Sequence, residues 1–228
     1  MTLQQHYEQL WKKSAEGFSR GVFELDADID NPADNRAGLT LLIRPPEAVA
    51  LAWQKLRREL EIIEPGQYYY PTSDLHVTVM SIISCYPGFS PDVIHLPQYI
   101  DLIREALQNS KSFTVDFTGI TASPSCVLLQ GFPGNETLNA IRNNIRQAFK
   151  ASPLMHSIDK RYSLQTAHIT AVRFRRELVN AAAFLDTLQR YRSYPFGSGT
   201  IGQVELVFND WYQRKERVTL LETFPLGL

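Results

Sequence analysis

Two five-residue stretches of this chain carry the same alternation, Leu75-His76-Val77-Thr78-Val79 and Ala167-His168-Ile169-Thr170-Ala171. Alternating apolar and polar side chains mark a half-buried β-strand, in which residues i and i+2 share a face. Val77, Val79, Ile169 and Ala171 then point into a core. His76 projects beside Thr78, and His168 beside Thr170, roughly 6.6 Å apart along each strand. The 228 residues contain only five histidines, so two in one pattern constrain the fold strongly. Such a chain needs two similar strands, each with one apolar face and one face bearing an imidazole and a hydroxyl.

The flanking sequence repeats as well. In the first half, Gly38 to Ile43 is a short apolar strand. Pro45-Pro46 opens a helix to about Ile62, with Leu51, Trp53, Leu56 and Leu60 on its apolar side. Leu75 to Ile83 is β-rich, and a helix from Pro97 to Gln108 carries Ile100, Ile103 and Leu107. In the second half, Ser112 to Gly119 and Cys126 to Phe132 read as strands around a turn at 121–125. A helix follows over Asn135 to Phe149, then a strand over Tyr162 to Phe174 and a helix over Leu178 to Tyr191. Two final strands cover Thr200 to Phe208 and Arg217 to Thr223. Ahead of all this lie a helix over 2–18 and a turn-rich loop, Glu24 to Asn35. That loop holds five acids without the glycine and terminal glutamate of a calcium loop. The order of elements predicts an α+β chain whose two halves form a weak internal repeat. The expected division is 1–36 (helix and acidic loop) and 37–228 (one domain). Its motif lobes are about 37–111 and 112–228, with room for strands to exchange between them.

Lysine plus arginine number 23 and aspartate plus glutamate 24, a net charge of −1. That excludes a globally basic nucleic-acid coat and leaves a local basic cleft open. Two cysteines, Cys85 and Cys126, cannot supply a disulfide framework and read as buried free thiols. No apolar run reaches the roughly 20 residues of a membrane span, and the N-terminus lacks a signal-peptide core. The expectation is a cytoplasmic monomer without membrane attachment.

If the two motif faces converge on one cleft, two imidazoles become a general acid and a general base that titrate near neutrality. The neighbouring hydroxyls can donate to the non-bridging oxygens of a phosphate. That set suits in-line transfer at phosphorus and asks for no metal. No nucleotide P-loop and no metal-ligand spacing occurs, so no cofactor and no metal are expected.

Paired His-x-Thr tetrapeptides about ninety residues apart, on strands of a duplicated α+β chain, resemble the 2H phosphoesterase superfamily. Its members include cyclic phosphodiesterases and the enzymes called 2′-5′ RNA ligases. The resemblance covers roughly 37–225. It implies a bilobed, duplicated α+β fold with two antiparallel sheets lining a central cleft and helices outside, and His76, Thr78, His168 and Thr170 as the catalytic quartet of a phosphodiesterase. The implied substrate is a 2′,3′-cyclic phosphate or 2′-5′ phosphodiester in a nucleotide or RNA end, with ligation or transesterification as related activities. Arg173 resembles the arginine that often closes the second motif. Its offset of five from His168 would put it on the opposite face of a regular strand.

Other residues are weaker candidates. Tyr70, in the run Tyr68-Tyr69-Tyr70, and Phe132 could stack on a base or line a core edge. Lys160, Arg161, Arg173, Arg175 and Arg176 cluster near the second motif in sequence, a patch that could attract a phosphate, with a solvated charged face the reading favoured for Arg175 and Arg176. His156 reads as a surface histidine; His6 and His95 have no partner pattern. A second functional class stays open at this point, an RNA- or nucleotide-binding module with the same cleft and little turnover.

Overall fold

A computed structural model describes residues 1–160 and 163–227. Among these, helices and strands follow the order α1 (Leu3–Ser19), β1 (Arg36–Ile43), α2 (Glu47–Ile63), β2 (Tyr68–Tyr69), β3 (Val77–Pro87), α3 (Leu96–Leu107), β4 (Phe113–Ser123), β5 (Cys126–Pro133), α4 (Thr137–Ala151), β6 (Ile169–Arg173), α5 (Ala181–Arg190), β7 (Pro195–Ile201), β8 (Gln203–Asp210) and β9 (Thr219–Pro225).

The helices form where an apolar stripe meets a capping signal. α1 opens with a capping box in which Thr2 Oγ1 accepts from the Gln5 amide at 3.2 Å and the Gln5 side chain accepts from the Thr2 amide at 2.9 Å. Its buried face, Tyr7, Trp11, Ser14 and Phe18, lies on β4, where the Ser14 hydroxyl donates to the Ala122 carbonyl at 2.8 Å. In α2 the buried side is Val49, Trp53, Leu56 and Leu60, and the expected Leu51 is 58% exposed. Residues 49, 53, 56 and 60 keep the 3.6-residue stripe, from which 51 lies about half a turn away. Helices α1, α2 and α5 pack together over β4 and β7, while α3 and α4 pack over β9 and β3.

The strands correct the expectation of two sheets. They form one curled antiparallel sheet, ordered β7-β4-β5-β6-β3-β1-β8-β9, with β2 paired to β6. The motif strands β6 and β3 are the inner edges of its two halves, and they join through the register pair Val77↔Ile169. Paired edges leave fewer unsatisfied backbone groups than two separate sheets would. The chain also crosses between the halves. β7 pairs with β4, whereas β8 pairs with β1, so the single strand expected over Thr200 to Phe208 is two strands that part at Gly202.

The strand expected over Tyr162 to Phe174 is shorter, Ile169–Arg173; Tyr162, like Arg161, lies outside the described residues. Just before it, the Thr166 carbonyl is taken by the Arg142 side chain at 2.8 Å instead of by a strand partner. Val77, Val79, Ile169 and Ala171 are buried, as the alternation requires. Among the described residues, no helix is long and apolar enough to cross a membrane.

Candidate functional site

The Val77↔Ile169 pair places both motifs at the seam between the half-sheets. Extending that antiparallel register by one residue each way sets His76 across from Thr170 and Thr78 across from His168. Both pairs face away from the helices. All four side chains are half-buried and line one cavity of about 200 Å³.

Each histidine is oriented through its Nδ1. The Asp74 carbonyl lies 2.8 Å from Nδ1 of His76. A carbonyl can only accept, so Nδ1 carries a proton and the neutral ring keeps its lone pair on Nε2. His168 Nδ1 lies 2.6 Å from Thr166 Oγ1, a hydroxyl that serves either tautomer. Burial pushes the His76 pKa down to about 4, with Arg44 and Arg173 adding to the effect and the Asp74 carbonyl opposing it. Burial likewise pushes His168 down to about 4, joined by the charges of His76, Arg142 and Arg173. Both imidazoles are therefore neutral at pH 7 in the free protein. The Thr78 and Thr170 hydroxyls make no hydrogen bond to a described side chain and remain available to a ligand.

Arg173 shares this cavity, against the expectation for a regular strand. The reason is a β-bulge. Val127 pairs with Val172 and Leu128 with Thr170, so Ala171 is an extra residue in β6. Ala171 and Val172 are both fully buried, and the alternation restarts one residue late. Arg173 thereby returns to the face of His168 and Thr170. Its Nε donates to the Tyr70 hydroxyl at 3.0 Å, its Nη1 sits 3.4 Å from Asp26 Oδ2, and its guanidinium lies 5.5 Å from the Tyr212 ring centre. Burial disfavours its charge, but Tyr70, Cys126 and Asp26 outweigh that and raise its pKa above the ordinary value.

The remaining candidates separate. Tyr70 lines the cavity but is only 1% exposed. Burial pushes its phenol up to about 12, and its hydroxyl accepts from Arg173 Nε. Tyr69 faces the core, donating to the Leu60 and Glu64 carbonyls. Phe132 does not reach the cavity: it lies three residues past the Leu129↔Ile169 pair, where its ring meets Tyr7 of α1 edge-on at 5.4 Å. Arg175 pairs with Asp30, Nε to Oδ2 at 2.8 Å, and lines no part of the cavity; nor do Lys160 and Arg176. His156, read as a surface histidine, is half-buried against Phe149, and burial lowers its pKa. Cys85 and Cys126 are buried, and neither forms a disulfide.

Sequence reasoning missed Arg142 and the contacts that the acidic loop makes. Arg142 is 1% exposed, and its guanidinium donates to the carbonyls of Val79, Thr78 and Thr166. Its position four residues after Leu138 and three before Ile145, on the buried stripe of α4, was a usable signal. The loop is not simply solvated. Asp26 accepts from the Tyr212 hydroxyl at 2.8 Å and approaches Arg173, and Asp34 and Asp28 pair with Arg36. No group of three or more His, Cys, Asp or Glu among the described residues is placed to hold a metal ion.

A curled antiparallel sheet that joins two His-Thr strands at its seam defines a recognisable class, and comparison with known proteins agrees. Residues 45–210 match the family model described as the 2′-5′ RNA ligase superfamily. The chain belongs to that family, the LigT-like 2H phosphoesterases. Among solved structures, it resembles TT0787 of Thermus thermophilus at 18% identity and a TM-score of 0.61, covering 83% of this chain and 98% of that one. It resembles E. coli LigT complexed with 3′-AMP at 16% identity and a TM-score of 0.55, covering 85% and 99%. The protein ATU0111 from Agrobacterium tumefaciens shares 14% identity at a TM-score of 0.55, covering 95% and 98%. At these identities the likeness is one of fold. A search of curated proteins by sequence found no match.

Proposed function

We propose that the protein is a metal-independent phosphodiesterase that opens a 2′,3′-cyclic phosphate or cleaves a 2′-5′ phosphodiester in a nucleotide or RNA end. The observation that carries this reading is the reciprocal register, with each histidine across from the other motif's threonine around one cavity. A phosphate seated there has an imidazole on either side and a hydroxyl beside each. One neutral imidazole takes the proton of an attacking water, whose oxygen bonds to phosphorus. The bond from phosphorus to one ribose oxygen breaks, and the other ring, as imidazolium, gives that oxygen its proton. Thr78, Thr170 and Arg173 donate to the non-bridging oxygens as charge builds there. Both rings are neutral in the free protein, so the negative charge of the bound phosphate draws in the acid's proton. That E. coli LigT was crystallised with 3′-AMP, ATP and NADP+ supports a nucleotide as the ligand class.

The test is incubation with the four nucleoside 2′,3′-cyclic phosphates and short 2′-5′- and 3′-5′-linked oligonucleotides, with and without EDTA, reading products by mass. Ring opening or 2′-5′ cleavage that persists in EDTA is expected. No product across the panel, or loss in EDTA with rescue by a divalent ion, contradicts the proposal.

A further inference from the structure

The first motif strand carries a hydroxyl at every third position, Thr78, Ser81 and Ser84, and all three line the cavity of the His-Thr quartet. A regular strand would turn Ser81 to the opposite face. Two bulges keep the three together. Leu42 of β1 pairs with Thr78 and Leu41 with Met80, so Val79 is extra; Thr40 pairs with Ser81 and Leu39 with Ile83, so Ile82 is extra. The first bulge does in β3 what the bulge at Ala171 does in β6. His76-x-Thr78-x-x-Ser81 thus answers His168-x-Thr170-x-x-Arg173. The two strands are antiparallel, so Ser81 and Arg173 lie on opposite sides of the Val77↔Ile169 pair. The cavity has a cationic end and a hydroxyl end, with the quartet between them.

Thr40 faces Ser81 across the β1–β3 ladder and lines the same cavity. Side chains of such a pair start roughly 5 Å apart, close enough for both to grip one ligand group. Thr40 is only 5% exposed, yet neither its hydroxyl nor that of Ser81 hydrogen-bonds to a described residue. Ser84, by contrast, is engaged: its hydroxyl accepts from Ser157 at 2.9 Å, and its amide donates to Ser157 Oγ at 2.6 Å. A nearly buried hydroxyl without a partner points to a ligand that supplies one. The charges disfavour a second phosphate here. Among the described residues, the charged side chains lining the cavity are Arg173, on the far side of the seam, and Asp159, a carboxylate paired with Arg146 at 2.6 Å. An anion beside Thr40 would have no cation to meet it. A hydroxyl both donates and accepts, so two of them match a third.

We propose that Thr40 and Ser81 form a subsite for the 5′-hydroxyl of the substrate's ribose, and that the site takes a nucleoside phosphate whose 5′ oxygen is free. Thr40 lies two β1 residues from Leu42, the partner of Thr78, so the pair sits roughly 6.6 Å along the sheet from the Thr78 position. A ribose spans a similar distance from the phosphorus on its 3′ oxygen to its 5′ oxygen. With the phosphate between the histidines and its charge toward Arg173, the 5′ carbon points to Thr40 and Ser81. The choice of a nucleotide as ligand rests on the function proposed above; the bulges and the unpaired hydroxyls do not.

The experiment measures, by calorimetry, binding of adenosine and cytidine 3′-monophosphates and of their 5′-deoxy and 5′-phosphorylated counterparts to the wild-type protein, Ser81→Ala and Thr40→Val. Turnover of the matching nucleoside 2′,3′-cyclic phosphates is followed in parallel. The wild-type protein should bind the 5′-hydroxyl compounds about threefold to tenfold tighter than the 5′-deoxy ones, and the 5′-phosphorylated ones no better than the 5′-deoxy ones. Each variant should bring the hydroxyl-to-deoxy ratio close to one while the 5′-deoxy affinity stays as it was. Equal binding of the 5′-hydroxyl and 5′-deoxy compounds by the wild-type protein, or binding of none, overturns the subsite, and that result needs no variant to fold. Tightest binding of the 5′-phosphorylated compounds also overturns it, and would make this end a seat for the next phosphate of a chain. Equal loss for all compounds in the variants overturns it as well. A 5′-hydroxyl preference with no turnover of any cyclic phosphate would leave the subsite standing and remove the phosphodiesterase reading. Turnover without that preference would do the reverse.

Discussion

The guanidinium of Arg142 donates to the main-chain carbonyl of Thr78 at 2.9 Å, and the same Nη2 reaches the Thr166 carbonyl at 2.8 Å. One side chain from α4 thus ties the first His-Thr strand to the segment two residues ahead of His168. Burial lowers its pKa to about 10, with the Arg146 charge adding to the effect, so it stays cationic at neutral pH. A buried cation is costly unless it is well hydrogen-bonded, and this one meets three carbonyls.

Arg142→Met keeps the volume and removes a donor from three carbonyls. Stability should fall by about 2–5 kcal/mol. Denaturant melts measure the loss, and turnover per folded molecule should fall with it as the two motif segments lose their tie. Wild-type melting in Arg142→Met would show that the tie is not needed.

Acid should weaken the fold through the site histidines. Both folded-state pKa values lie near 4, below the unfolded value of 6.5. Between these values the unfolded chain binds protons that the native rings do not, so stability falls as pH drops from about 6.5 to 4. It is fully present above 6.5. The half-exposure of both rings tempers the size of the effect without changing its sign. In a double variant, His76→Gln with His168→Gln, melting temperature should depend less on pH across that window. An unchanged pH dependence would mean that the native rings titrate near 6.5.

What was legible in the sequence was what local spacing dictates. The alternations at 75–79 and 167–171 placed both motif strands and the faces of His76, Thr78, His168 and Thr170. The stripe Leu138, Ile141, Ile145, Phe149 gave α4. What was not legible depends on pairing between distant segments. Arg173 returns to the cleft only because β5 forces a bulge at Ala171, which no spacing within β6 reveals. The break at Gly202 follows from β7 and β8 joining different halves of the sheet. Asp26 reads as a loop acid until the loop is seen against Arg173 and Tyr212.

That Asp26 contact sets a third expectation. Asp26→Asn keeps an oxygen to accept from Tyr212 and removes a negative charge 3.4 Å from Arg173. Inorganic phosphate should then bind a few-fold tighter at low ionic strength, and the gain should shrink as salt screens it. Calorimetric titration at two salt concentrations checks this. Weaker or unchanged binding would mean that Asp26 does not restrain the charge Arg173 offers.

The threonines should act through their hydroxyls. Thr78→Val and Thr170→Val preserve β-branching and approximate volume, so both strands should survive. Turnover should fall by up to roughly 10²–10³-fold, while binding of a ground-state phosphate changes much less. The opposite pattern, altered melting with unchanged rates per folded molecule, would make them packing residues.

The central claim is that His76 and His168, brought together at the Val77↔Ile169 seam, work as one acid–base pair. Steady-state kinetics of His76→Ala, His168→Ala and the double variant, on the best cyclic phosphate of the panel, test it most directly. Each single change should lower kcat by roughly 10²–10⁴-fold. The double variant should be little worse than the worse single one, because groups that act as a unit are not additive. Wild-type rates in either folded single variant, or losses that multiply fully in the double, would contradict the claim.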